Sequence, residues 1–166
     1  MAAIGFLPPE VVASGSSLIL PAASLYEFGV LASALHMAWM RYTGGRMKSD
    51  YQYSSQIVYN NFPWPKSPKV KQMAVVEAKA HVLLKVRETF SSTSLAALYT
   101  PETMPGKLAK AHAELDRAVD ACYRAKPFDS DRERVEFLFA LYEKLTAPLT
   151  AGLKDPRPRS KKATKA

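Results

Sequence analysis

From residue 67 onward, apolar side chains recur every three or four positions in three separate runs, and this spacing limits the fold more than any other feature. The first run is Val70, Met73, Val76, Ala80, Leu83 and Val86 or Arg87, reaching to about Phe90. The second is Leu108, His112, Leu115, Val119 and Cys122, and the third Val135, Leu138, Leu141, Tyr142 and Leu145. A period of 3.6 gathers each run on one face of a helix, and such a face has to be buried. The punctuation agrees. Ser67 suits a cap and Pro68 the first helical position. Pro105 opens the second helix. Asp129 or Ser130 caps the third, with Glu133 near the reciprocal position, and Pro148 and Gly152 end it. A short helix is expected over residues 94–99. The predicted fold is mainly α: a small antiparallel bundle preceded by a short, irregular, β-containing N-terminal segment.

That segment is less regular. Ser24 and Glu27 form a capping box, and Leu25, Phe28, Ala32, Leu35, Trp39 and Tyr42 place one stripe on a single helix of about five turns, stopped by Gly44-Gly45. Residues 1–23 have no helical period. Ile4-Gly5-Phe6, Val11-Val12 and Leu18-Ile19-Leu20 read as short strands separated by Pro8-Pro9 and the serines of 14–17. Three such strands make a poor sheet alone, so the chain is expected to start inside a larger domain. Residues 46–66 read as a loop or extended segment. Tyr51 with Tyr53, and Ile57 with Tyr59, alternate as short strands would on either side of Ser54-Ser55.

Composition excludes several classes. With 48% hydrophobic and 23% charged residues in 166, the chain reads as globular. No apolar run reaches the roughly 18 residues of a membrane span, and no signal peptide is evident. One cysteine, Cys122, cannot form an internal disulfide, which suits a reducing cytoplasm. The net charge of +8 is concentrated. Residues 154–166 carry six Lys/Arg against Asp155, and residues 41–71 carry six against Asp50. Basic charge in two blocks favours an anionic partner, most often nucleic acid; a solubilising disordered end is the plainer reading of the tail.

Residues 41–65 combine four tyrosines, two arginines and a lysine between a glycine pair and Phe62-Pro63-Trp64-Pro65. So many polar donors suit a surface that meets a polyanion better than a core. Motifs for chemistry are missing: no Gly-rich phosphate loop, no zinc-ligand spacing, no arguable Ser/His/Asp set. His36, His81 and His112 sit on different helices and read as ordinary core or surface histidines. Asn60-Asn61-Phe62-Pro63 has the wrong order for the Asn-Pro-Pro-aromatic loop that holds a flipped adenine. No cofactor site and no catalytic residue is expected here.

The ordered strings Phe28-Gly29-Val30-Leu31-Ala32-Ser33, His36-Met37-Ala38-Trp39-Met40-Arg41, Gly45-Arg46-Met47-Lys48-Ser49-Asp50-Tyr51-Gln52-Tyr53-Ser54 and Val58-Tyr59-Asn60-Asn61-Phe62-Pro63-Trp64-Pro65 resemble the C-terminal part of MmeI-like DNA methyltransferases, single-chain restriction–modification enzymes. The likeness continues through Leu95–Tyr99, Met104-Pro105, Ala111-His112, Leu115-Asp116 and Glu133–Phe139, covering nearly all of residues 4–147. It implies the end of a target-recognition domain over 1–65, a C-terminal helical domain over 66–150 and a disordered basic tail over 151–166, whose role it does not explain. In that family the catalytic and S-adenosylmethionine loops lie upstream. The chain is therefore expected to be an expressed portion or the product of a split gene, inactive alone, with a parent specific for adenine N6 and the cofactor held in the missing catalytic domain. The implied partners are double-stranded DNA and the upstream methyltransferase domain.

Within that frame Arg41, Arg46, Lys66, Lys69 and Lys71 are candidates for phosphate contact, which positions a protein without specifying sequence. Lys48 and Asp50 stand two apart and, in an extended piece, share a face. A lysine donates to guanine and an aspartate accepts from cytosine N4, so the two together suit one G·C pair; a local salt bridge is the plainer alternative. Gln52 suits adenine, and stands where many family members carry Arg. Tyr51, Tyr53, Tyr59 and Trp64 either stack on DNA or buttress the loop; buttressing is favoured for Tyr59, Phe62 and Trp64. The rival to DNA recognition is a purely structural helical brace that docks on the methyltransferase without touching DNA.

Overall fold

A computed structural model describes residues 4–15, 17–47, 50–100 and 102–150, apart from the side chains of residues 47, 50, 149 and 150. The basic tail from residue 151, and Lys48, lie outside the described residues. Among those described, the chain is mainly α, with one two-stranded antiparallel sheet.

Helix α1 (Leu25–Leu31) starts at the expected capping box: Glu27 Oε2 accepts from the Ser24 N–H at 2.6 Å and Ser24 Oγ accepts from the Glu27 N–H at 3.4 Å. The single long helix expected to follow is instead two. Ser33, fully buried, donates its hydroxyl to the Val30 carbonyl (2.7 Å), accepts from the His36 N–H (3.3 Å), and so caps a second helix, α2 (Ala34–Thr43). Serine competes for backbone groups in this way wherever a helix can be interrupted. Asp116 Oδ1 accepts the Ala34 N–H at 2.7 Å, satisfying another of the donors a helix start leaves open. The break has a packing reason. Leu35 through Met40 are buried without a gap, which a helix with a single apolar stripe would not show; α2 is the centre of the molecule.

Helix α3 (Val70–Glu88) begins later than Ser67 suggested. A residue before proline avoids right-handed helical geometry; Ser67 lies at φ 51°, and the cap moves to Lys69, whose N–H donates to Gln72 Oε1 at 2.9 Å. After the short α4 (Leu95–Leu98), capped by Ser94, come α5 (Gly106–Tyr123), N-capped by Pro105, and α6 (Asp131–Thr150), where Ser130 Oγ accepts the Glu133 N–H and Glu133 Oε2 accepts the Asp129 N–H. Pro148 lies inside α6 rather than ending it; Gly152 is outside the described residues. Helices α3 and α5 run antiparallel, tied by Gln72 Nε2 donating to the Ala121 carbonyl (2.6 Å) and by the Lys79–Glu114 pair (2.9 Å). The bundle is not built from the three long helices alone. Helix α1 packs on α3 and α5, while α6 packs chiefly on α2, through Trp39 against Phe139 and Tyr142. The early helices had to be inside for this, because the stripes of α3, α5 and α6 all converge on them. One core cluster joins Phe28, Leu35, Trp39, Phe62, Val76, Leu83, Leu115 and Leu138.

The strands expected in residues 1–23 do not form among the described residues there, which make turns and irregular extended chain. Among the described residues no sheet edge lies beside them to complete their backbone hydrogen bonds, and Val12 and Ile19 are 94% and 68% exposed. The start is fastened, with the Ile4 carbonyl accepting from Arg87 Nη1 (2.7 Å) and Phe6 against Phe28. The β structure lies further on, as β1 (Gly45–Met47) and β2 (Asp50–Gln52). Ser55–Tyr59, the other expected strand, is one turn of π-helix capped by Ser54.

The crossing of α1 with α3 and α5 supplies a first prediction. A Cβ on Gly29 would stand 2.7 Å from Val76 Cγ1, 3.3 Å from Leu115 Cδ1 and 3.4 Å from the Ala80 Cβ. Gly29→Ala gains helix propensity but overpacks a fully formed contact, and is expected to destabilise by about 1–2 kcal/mol, measured as a lower urea midpoint at unchanged m-value.

Candidate nucleic-acid interface

Within the polar block, the residues that follow α2 form a two-stranded ribbon joined to its end. Strands β1 and β2 pair antiparallel with Gly45 opposite Gln52, Arg46 opposite Tyr51 and Met47 opposite Asp50. Alternation puts Arg46 and Tyr51 on one face and Gln52 on the other. The Arg46 guanidinium lies 4.5 Å from the Tyr51 ring centroid and donates from Nη2 to the Tyr51 hydroxyl at 2.8 Å. This cation–π contact orients an exposed positive charge without neutralising it. Gln52 is exposed and makes no side-chain hydrogen bond among the described residues.

Both feet of the ribbon rest on α2. At the entry the Gly44 N–H donates to the Met40 carbonyl at 2.8 Å, and a Cβ at Gly44 would come 2.5 Å from that oxygen and 3.3 Å from the Gln52 carbonyl. Glycine is needed here for close approach, since Gly44 itself sits at φ −70°. At the exit the Tyr53 hydroxyl lies 3.0 Å from His36 Nε2. Residues 54–64 are then bound to the same helix. Trp39 Nε1 donates to the Val58 carbonyl (3.0 Å), and Phe62 meets His36 edge-on at 4.6 Å. Asn61 Nδ2 donates to the Gln56 and Ile57 carbonyls. Tyr59 and Trp64 are set edge-to-face, and Trp64 meets Phe62 similarly. Tyr59, Phe62 and Trp64 thus buttress the loop.

The expected site residues are distributed unevenly. Arg46, Asp50 and Gln52 share the ribbon; Asp50 begins β2 after the chain has reversed, its side chain and the whole of Lys48 lying outside the described residues. Arg41, in the last turn of α2, is engaged with Asp131 of α6 at 2.7 Å, a partly exposed pair worth at most about 1 kcal/mol. Lys66, Lys69 and Lys71 are exposed around the start of α3 and form no ion pair among the described residues. Sequence reasoning missed the contacts that hold the ribbon. His36 and Tyr53 stand 17 positions apart and share no periodic signal. Asp116 capping α2, and Asp120 in a nearly buried pair with Arg134 at 2.8 Å, were equally invisible. No group of three or more His, Cys, Asp or Glu among the described residues is placed to hold a metal ion.

Residues 2–66 match the family model for the MmeI target recognition domain, and residues 67–150 that for the MmeI C-terminal domain. The chain belongs to the MmeI family. It is 38% identical over 143 residues to DNA methyltransferase A of Bacillus subtilis (strain 168), an alignment covering 86% of this chain and 16% of the relative. A solved structure of the Type IIL restriction-modification enzyme MmeI in complex with DNA is 46% identical, superposes with a TM-score of 0.73, and covers 76% of this chain and 17% of that one. The chain thus spans about a sixth of the length of these relatives, and its residues 2–150 are MmeI target-recognition and C-terminal sequence. The MmeI C-terminal segment is not a separate body here: α3, α5 and α6 share one core with α1 and α2 of the target-recognition segment.

Proposed function

We propose that this chain grips and reads double-stranded DNA for a methyl transfer carried out by another part of the polypeptide. The observation that carries this reading is the exposed ribbon, with Arg46 and Gln52 on opposite faces and both feet fixed to a buried helix. A two-stranded ribbon has the dimensions to enter a major groove, and the DNA-bound MmeI relative supports the choice of ligand. Lys48, Asp50 and Gln52 read base edges. Arg46, Lys66, Lys69 and Lys71 meet phosphates; Arg41 does so only by sharing its charge with Asp131. The methyltransferase domain is the covalent or docked partner, holds S-adenosylmethionine, and methylates adenine N6 in the cytoplasm. No helix among the described residues is long and apolar enough to cross a membrane.

The bracing role has an observation of its own. Asp131 and Tyr142 of α6 reach Arg41 and Asn61, on either side of the ribbon. The helical part therefore stiffens the reader, and the two roles belong to one device. With about five phosphate contacts, duplex affinity is expected to fall roughly 10²–10³-fold between about 50 and 200 mM salt, and each of Arg46→Ala and Lys69→Ala to reduce the logarithmic slope by about one. A chain ending at residue 153 separates the contribution of the tail. Failure to bind duplex even at low salt leaves the brace alone.

A further inference from the structure

We infer that the His36–Tyr53 contact is the positioning element that sets the direction of the β1–β2 ribbon, and with it which base edges the ribbon meets. This rests on the reading role proposed above. A ribbon of two three-residue strands does not hold its own shape in water, so its orientation is decided where it is fastened. The entry is fastened by backbone, through Gly44 and Met40. Among the described residues the exit is fastened by one side-chain hydrogen bond, Tyr53 Oη to His36 Nε2 at 3.0 Å, with the Tyr53 ring tilted against the same imidazole at 5.8 Å. His36 and Met40 are one helical turn apart on α2, so both feet stand on the same strip of a rigid helix.

His36 is built as a fixed point. It is fully buried, its N–H is held by Ser33 Oγ, and Phe62 packs against its ring at 4.6 Å. Its Nδ1 has no hydrogen-bond partner among the described residues. Burial keeps the imidazole neutral, with a single N–H. The Nε2–Tyr53 contact forms in either tautomer, the ring donating or accepting, so the anchor does not depend on which nitrogen carries the proton. Phosphate contacts from long Lys and Arg side chains follow a small displacement of the ribbon, whereas base-edge hydrogen bonds are short and directional. Loosening the exit therefore damages discrimination before it damages grip.

The test uses the full chain, a pool of short duplexes with a randomised centre as probe, and amide exchange over residues 45–52 as a readout independent of DNA. Tyr53→Phe keeps the ring and removes the hydroxyl. It is expected to raise ribbon exchange and cut sequence enrichment about tenfold, within the range a single base contact discriminates, while binding to unselected duplex stays unchanged. His36→Leu is expected to do the same. His36→Gln, which keeps a donor near the Nε2 position, is expected to restore both. Unchanged ribbon exchange in Tyr53→Phe overturns the tether itself. Faster exchange with intact enrichment overturns its role in discrimination. A native chain that binds duplex but enriches no sequence overturns the reading role, and the exchange data then stand apart from it.

Discussion

Trp39→Ala is expected to lower the unfolding free energy by about 3–5 kcal/mol, the cost of emptying a large aromatic site in a packed core. A domain of this size holds roughly 5–15 kcal/mol in all, so the variant should populate unfolded chain at moderate temperature. Trp39 is 1% exposed and is where the two halves of the molecule meet. Its ring contacts Phe62 of the ribbon support and Phe139 and Tyr142 of α6, at centroid distances of 6.4, 5.1 and 5.9 Å. Its N–H satisfies the Val58 carbonyl inside the π-turn. Trp39→Phe separates these roles. It keeps an aromatic ring but leaves the Val58 oxygen without its donor, and is expected to cost about 1–3 kcal/mol. Urea unfolding followed by circular dichroism measures both. A loss below about 1 kcal/mol for Trp39→Ala would mean that α6 and the ribbon support are not coupled through this residue.

Trp39 also marks the limit of what the amino-acid sequence discloses. The stripes of α3, α5 and α6 were legible because each repeats within its own helix, and the caps at Ser24 and at Asp129 or Ser130 were legible because cap chemistry is local. The split at Ser33 was not. Leu25 to Tyr42 satisfies a single 3.6-residue stripe, and only the burial of Met37, Ala38 and Met40 by partners distant in sequence shows that α2 needs an apolar surface all round. The long helices were expected to pack on one another for the same reason: period tells that a face is buried, not what buries it. The strands of residues 1–23 were over-read, because β-forming residues make strands only beside an edge that will pair with them.

The candidate site divides similarly. Clustering of polar and aromatic residues over 41–65 singled out the segment that carries the ribbon and its support, and Gly44-Gly45 marked where the helix ends. The ribbon's register and the π-turn depended on pairings that cross the chain. Reading His36 and His112 as ordinary core or surface residues left their burial open and said nothing of their partners; both are buried. Each puts Nε2 against a tyrosine hydroxyl, Tyr53 and Tyr99, at 3.0 and 2.8 Å, and each leaves Nδ1 without one. Arg87 adds a cation at the second site, donating to the same Tyr99 hydroxyl at 2.6 Å. Two uncharged histidines inside a basic protein have a consequence for stability that no local pattern announces.

Acidification from pH 7 to about pH 4.5 is expected to lower the unfolding free energy by about 3–5 kcal/mol through these two residues together. Burial depresses His36 from 6.5 to about 3. Burial, joined by the positive charge of Arg87, depresses His112 from 6.5 to about 4. The unfolded chain takes up a proton at each near pH 6.5 while the folded chain refuses it, so stability is complete above that pH and is lost as pH falls toward the folded values. Each pH unit in that window costs about 1.4 kcal/mol per group, before any relaxation of the site. Asp116 works in the opposite direction. Burial raises it from 3.8 to about 6, against the Ala34 N–H and Arg134, so the folded chain binds its proton first and gains stability as pH falls from about 6 toward 3.8. The histidines outweigh it because there are two of them and their shifts are larger. Urea midpoints measured between pH 7.5 and 4.5 should decline for the native chain and flatten in His36→Gln/His112→Gln, even though that variant starts from a lower midpoint. Asp116→Asn should gain most at pH 7.5 and little at pH 4.5. A double variant that declines as steeply as the native chain would assign acid sensitivity to repulsion among the excess positive charges, whose strength added salt would reduce and to which buried neutral imidazoles are indifferent.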